Sequence, residues 1–210
     1  MFTIFSIFYV ILVYFGILRY FILHFSSCNS FIKNYKKLTR ASNKYKTVVS
    51  LESGGTSSMY IPTINSLFDQ SVSVDEIVIF SDKIDKSCLI NNYVAVYPST
   101  INNVLYTLQK ENVIDTIIIF VGYDVIYSQE FIEDMVDYVD VYPDRAICIG
   151  NDSKLDVRKG VVLKPKYLKP TITQQLIGID DYESINSILA NNLISEPQFV
   201  KSNGNYKTFI

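Results

Sequence analysis

The chain has 210 residues, 49% of them hydrophobic, and a formal net charge of −2. That length supports one domain with its own core, and the near-balanced charge excludes a nucleic-acid partner held by the molecule as a whole. One histidine, His24, and three scattered cysteines, Cys28, Cys88 and Cys148, exclude a Ser-His-Asp or Cys-His centre in the soluble part and a Cys/His zinc site.

The first predicted element is apolar. Residues 2 to 18 carry no charge, and the apolar character resumes after Arg19 as far as Phe25. A bilayer span needs about 20 residues, and Arg19 near one end can snorkel to the headgroups. Residues 1–25 are therefore expected to form an uncleaved, single-pass transmembrane anchor; a signal peptide would carry a basic start and a small-residue cleavage site. Residues 26–46 follow as a linker with Lys33, Lys36, Lys37, Arg40, Lys44 and Lys46. The linker reads both as a solvated juxtamembrane segment and as a run attracted to anionic lipid. Its charge places the remaining domain, 47–210, on the cytoplasmic side, although the sequon at Asn151-Asp152-Ser153 points the other way.

From Thr47 the pattern changes to alternating strands and helices. TVVSL (47–51) is a β-branched strand ending in the small-residue loop ESGGTSS. A helix follows with Ile61, Ile64, Leu67 and Phe68 on one face and Pro62 in its first turn. DEIVIF (75–80) and YVAVY (93–97) are strands, and STINNVLYTLQKE (99–111) is a helix capped by Ser99 or Thr100. DTIIIFV (115–121) is a fourth strand, before an amphipathic helix with Phe131, Met135, Val136 and Val139 inward. RAICI (145–149) and GVVLKP (160–165) are later strands, and IDDYESINSILANNL (179–193) is a last helix.

Such alternation predicts an α/β domain: a mostly parallel sheet with helices on both faces. Ligands of these sheets bind at the carboxyl ends of the strands. Acids and small residues gather there, at Leu51-Glu52, Ser81-Asp82, Tyr97-Pro98 and Gly122-Tyr123-Asp124.

The segments PTINSLFDQSVSVDEIVIF, IIIFVGYDVIYSQEFIEDMVDYVDVYPDRAI, GVVLKPKYL and DDYESINSILANN occur in this order. In that order the chain resembles family 2-like glycosyltransferases, of the kind found in large viruses and algae, over roughly residues 47 to 196. The resemblance implies a GT-A fold, a nucleotide-sugar donor, and Mg²⁺ or Mn²⁺ held by an Asp-rich motif. It implies Asp124 as metal ligand, Ser50, Glu52, Asp82 and Tyr123 as donor-binding residues, and Asp181 or Asp180 as catalytic base toward a glycan or protein acceptor. The chemistry is coherent, because a departing diphosphate needs a cation, and both ions prefer carboxylate and phosphate oxygens.

The family pattern is incomplete here. Two or three aspartates should follow the strand, and the chain has Gly122, Tyr123 and Asp124. A lysine expected to meet a phosphate is Ile101, and the segment before IDDYES is short, which implies a reduced acceptor pocket. Other readings of the same residues stand beside these. Asp124 and Asp82 also read as ordinary acids at strand ends, Asp180 and Asp181 as carboxylates suited to a helix N-terminus, and Lys164 as either a phosphate contact or a turn residue. Function at this level divides between a membrane-anchored glycosyltransferase and a catalytically inactive GT-A-fold protein. The inactive form would be a binding or structural membrane component, viral in flavour, or a tethered adaptor.

Overall fold

The computed structural model describes residue 10 and residues 18–23, 44–51, 57–82, 94–150, 154–201 and 207–208. Most of the expected anchor and of the basic linker, together with His24, Cys28, Glu52 and Cys88, lies outside them. Among the described residues no helix is long and apolar enough to cross a membrane.

Nine strands and five helices follow Lys46 among the described residues. In chain order they are β1 (Thr47–Leu51), α1 (Ser57–Phe68), β2 (Glu76–Phe80), β3 (Val94–Tyr97), α2 (Asn103–Lys110), β4 (Ile117–Val121) and β5 (Val125–Ile126). There follow α3 (Phe131–Val141), β6 (Ile147–Ile149), β7 (Val161–Leu163), a 3₁₀ turn (Pro165–Tyr167), α4 (Ile172–Gln175), α5 (Tyr182–Asn192), β8 (Gln198–Val200) and β9 (Lys207–Thr208).

The main sheet has seven strands in the order β3-β2-β1-β4-β7-β6-β8. β1 pairs in parallel with both β2 and β4, and β2 with β3. β7 is antiparallel to β4 and to β6, and β6 is parallel to β8. β6 and β8 therefore run the same way as β4, and β7 alone is reversed. The sheet is mostly parallel, as the alternation predicts. The reversed β7 and the short β8 were not predicted.

The buried strands read as continuous apolar runs because both faces are covered. Val49, Leu51, Ile77, Ile79, Ile117, Ile119 and Val121 pack under α1 and α3. Their alternate neighbours Ile118 and Phe120 pack under α2, α4 and α5. Strand residues i and i+1 thus serve opposite layers. Cys148 is buried in β6, and burial raises its thiol to about 12, as suits an inert core residue.

α1 departs from the expected helix in two respects. It begins at Ser57, so Pro62 lies inside it rather than in its first turn. It is also buried on its polar side, with Thr63, Asn65 and Ser66 fully enclosed. Part of that cover comes from helical residues 18–23. Leu23 is fully buried, its carbonyl accepts from Asn65 Nδ2 at 2.9 Å, and Arg19 Nε donates to Asp69 Oδ2 at 2.8 Å. Arg19, expected at lipid headgroups, is here paired with the carboxylate that follows α1.

Phe120 is fully buried at the centre of β4, against the α2 side of the sheet. Phe120→Ala should cost about 3–5 kcal/mol, read as a lower urea midpoint at unchanged slope.

Candidate active site

The topology selects one place on the sheet. β1 leads through α1 to β2 on one side, and the chain later returns through α2 to β4 on the other. α1 and α2 lie on opposite faces. The carboxyl ends of β1 and β4 therefore open a crevice between diverging connections, the usual ligand position in open α/β sheets. Gly122, Tyr123 and Asp124 leave β4 at that point.

α1 positions this segment through polar residues at helical spacing. Thr63 donates its hydroxyl proton to the Tyr123 carbonyl at 2.7 Å. Ser66 Oγ accepts the Tyr127 amide at 3.0 Å. Gln70 Nε2 donates to the Ser128 carbonyl at 2.6 Å, and its Oε1 accepts the Ile132 amide at 3.0 Å. Tyr127 closes the loop by donating its phenol proton to the Gly122 carbonyl at 3.1 Å. Backbone groups that would be orphaned inside the protein are thus satisfied, and the loop has little freedom.

Gly122 is needed for contact, not for dihedral freedom. A Cβ there would sit 2.8 Å from the Arg158 carbonyl oxygen and 3.4 Å from Asp124 Oδ1. The first position after β4 therefore has no room for an aspartate. Tyr123 carries its ring against Tyr60, with centroids 5.6 Å apart, and is half-buried in the α1-side core. Asp124 is half-buried, and among the described residues no hydrogen bond or ion pair engages its carboxylate.

The other sequence-predicted residues scatter. Ser50 is fully buried within β1, where its hydroxyl accepts from Thr107 Oγ1 at 3.0 Å and ties α2 to the sheet; it stands behind the carboxyl edge. Asp82 is exposed at the end of β2 and accepts from the Ser99 amide at 3.3 Å and from the Ser99 hydroxyl, joining the loops after β2 and β3. Asp180 is exposed just ahead of α5. Asp181 is the N-cap of α5, accepting the Ser184 amide at 2.7 Å. That backbone hydrogen bond holds its carboxyl below the usual range. Lys164 lies at the opposite edge of the sheet, because β7 is reversed, with its Nζ 3.7 Å from the centre of the Tyr45 ring. It is a turn residue there, remote from the crevice.

Sequence reasoning missed the β6–β7 connection. Val157 is buried, its amide donates to Asn186 Oδ1 at 3.1 Å, and Asp156 Oδ1 accepts from Arg158 Nε at 3.2 Å. Burial pushes the Asp156 carboxyl up, but its hydrogen bonds from Arg158 prevail and hold it below the usual range. An open cleft of about 900 Å³ lies beside this turn. Lys154, Arg158 and Lys159 form one wall, and Glu183, Asn186 and Glu196 contribute from α5 and the approach to β8. Asp124 does not line it; the cleft adjoins the crevice through Arg158. The charge run KLDVRK between two short strands was the available signal.

A divalent ion has a limited donor set here. Among the described residues no three His, Cys, Asp or Glu side chains gather to hold a metal, and Gly122 is sterically closed to an acid. Asp124 fits an ion that arrives with a diphosphate, since Mg²⁺ is commonly held by one or two carboxylates plus phosphate oxygens and waters.

No protein-family model and no curated protein matches the sequence. Among solved structures, the chain is similar to 4-diphosphocytidyl-2C-methyl-D-erythritol synthase from Anaerococcus prevotii, with a TM-score of 0.53 and 9% identity over 79% of this chain and 92% of that one. At that identity the likeness concerns the fold alone. It supports the mostly parallel α/β architecture and does not single out the glycosyltransferase family.

Two substitutions test this geometry. Gly122→Ala should destabilise by about 1–3 kcal/mol through displacement of the Arg158 turn, measured by thermal or urea unfolding. For Asp181, the folded carboxyl titrates below its unfolded value of about 3.9. Its contribution is complete above that value and is lost as the pH falls through the folded one. Asp181→Ala should lower the melting temperature at pH 7 and narrow its gap to wild type near pH 2, whereas Asp181→Asn, also a good cap, should remain close to wild type at both.

Proposed function

We propose that this chain is a membrane-anchored, glycosyltransferase-like protein that binds a nucleotide sugar in the crevice between β1 and β4 and directs its sugar to a glycan or protein acceptor. One observation carries the reading: the half-buried carboxylate of Asp124 stands without a partner among the described residues, at the switch point of the sheet, on a loop fixed by α1. An acid so placed is desolvated in part and preorganised, as ligand-binding carboxylates are. The matched fold gives support of a coarser kind, since the similar enzyme is named for a diphosphocytidyl product.

In this reading Asp124 would hold Mg²⁺ or Mn²⁺, and the ion would supply Lewis-acid stabilisation of the leaving phosphate. Asp82, tied to Ser99, stands at the end of β2 where the nucleoside's ribose or base would lie. Glu52, next after β1 in the sequence and outside the described residues, is a further candidate donor contact. Tyr123 contributes as the ring that packs the loop against Tyr60. Asp180 is the better placed of the two candidate bases, because Asp181 is spent on capping α5. Residues 1–25 anchor the chain, and the basic linker faces anionic lipid with the domain on the cytoplasmic side.

A second reading has its own observation. The Arg158 carbonyl fills the space that a first motif acid would need, which suits a protein that keeps donor binding and has lost turnover. That protein would be a binding or structural membrane component, of viral type.

Calorimetry of the full chain in detergent, with UDP-, GDP- and CDP-sugars and Mn²⁺, tests both. Binding by wild type and a loss of about tenfold or more in Asp124→Asn are expected. Equal binding by that variant would remove Asp124 from the site, and release of free sugar from the donor would separate an enzyme from a binder.

A further inference from the structure

The crevice is short of positive charge where a diphosphate would sit. Ile101 stands where the resemblance implies a lysine, and one motif acid remains to hold a metal. The β6–β7 turn sets its backbone against the crevice, at Gly122, and its cations along the adjoining cleft. β7 is antiparallel, so its amino end, not its carboxyl end, lies at the crevice edge. The connection that delivers it, GNDSKLDVRKG, carries Lys154, Arg158 and Lys159 against two acids, Asp152 and Asp156.

That connection is pinned. The Arg158 carbonyl packs on Gly122, and Asp124 Oδ1 approaches the same glycine. Both oxygens lie within 3.4 Å of one point. Behind the turn, Gly160 has φ +122°, and a Cβ there would meet the Ile149 side chain at 2.6 Å. Asp156 Oδ1 also accepts the Arg158 amide at 3.0 Å, and the Lys159 amide donates to the Asp156 carbonyl at 3.0 Å. The guanidinium is steadied by Asp156 and lies 5.4 Å from the Tyr182 ring centre, at the mouth of the cleft. A planar donor fork held on a rigid turn is suited to phosphate. Preorganised positive charge beside a departing diphosphate lowers the cost of its charge.

We infer that Arg158 is the principal phosphate-binding residue of this site, contacting the diphosphate of a nucleotide sugar from the β7 side of the crevice, with Lys159 beside it. Asp156 then acts as the positioning residue that holds the guanidinium until a more highly charged anion competes for it. The lining of the cleft carries three cations, Lys154, Arg158 and Lys159, and three acids, Asp156, Glu183 and Glu196. This inference rests on the nucleotide-sugar reading and adds that diphosphate recognition depends on a guanidinium more than on a metal ion.

The test is calorimetry of the full chain with UDP and with inorganic pyrophosphate, each in EDTA and in Mn²⁺. Wild type should bind both probes in EDTA. Arg158→Ala should weaken that binding about tenfold or more, and Arg158→Lys should fall between. Arg158→Gln keeps part of the aliphatic stem without the charge and serves if the alanine variant melts early. Binding that requires Mn²⁺ and is unchanged in folded Arg158 variants would overturn the inference while leaving the nucleotide-sugar site standing. Failure of wild type to bind either probe in EDTA or in Mn²⁺, with UDP-, GDP- and CDP-sugars also inert, would remove that site and the inference with it.

Discussion

A buried row of polar side chains on α1 and just beyond it governs the edge of the sheet where Asp124 stands. Thr63 and Ser66 on the helix and Gln70 two residues past its end each hydrogen-bond the backbone between Tyr123 and Ile132. Each such bond adds only about 0.5–1.5 kcal/mol net, but an unmet buried partner costs about 1–3 kcal/mol. The row is therefore more a constraint than a reservoir of stability. It admits one course for the loop after β4, and that course sets where Asp124 stands. In PTINSLFDQ the apolar residues attach the helix to the sheet while the interleaved polar ones attach the loop to the helix.

The central sheet was legible in the sequence because its residues have nowhere else to go. IIIFV can only be a strand buried on both faces, and FIEDMVDYV shows one apolar face at helical spacing. The direction of a strand leaves no such trace. VVL in β7 is buried on both sides whichever way it runs, and its reversal follows from pairing with β4 and β6. That reversal decides which end of GVVLKP meets a ligand: it carries Lys164 to the far edge, beside Tyr45, and brings the Arg158 turn to the near one. QFV in β8 was missed because three residues, of which one is buried, carry too short a pattern to read.

The candidate site was legible by place more than by residue. Strand ends pointed to the carboxyl edge of the sheet, and Asp124 lies there. Ser50 does not, because in a doubly covered strand even a hydroxyl faces a helix, here through Thr107. Asp181 shows how one residue type serves two readings that a sequence cannot separate, since a cap and a base both want a carboxylate at the start of a helix. The hydrogen bond from Ser184 shows the carboxylate serving as the cap. The crowding at Gly122 was invisible beforehand because it arises between residues 122 and 158, far apart in the chain.

Helical residues 18–23 share α1 with the Asp124 loop. Arg19 donates to Asp69 at one end of that helix and, at 3.1 Å, to the carbonyl of Tyr127, the residue that also grips Gly122. Leu18, Tyr20, Phe21 and Ile22 meanwhile keep over a third of their surface exposed. Whatever grips those exposed side chains, lipid or protein, has mechanical purchase on the lever that aims the carboxylate, so a tilt of the first helix would be felt at the crevice without any messenger in between.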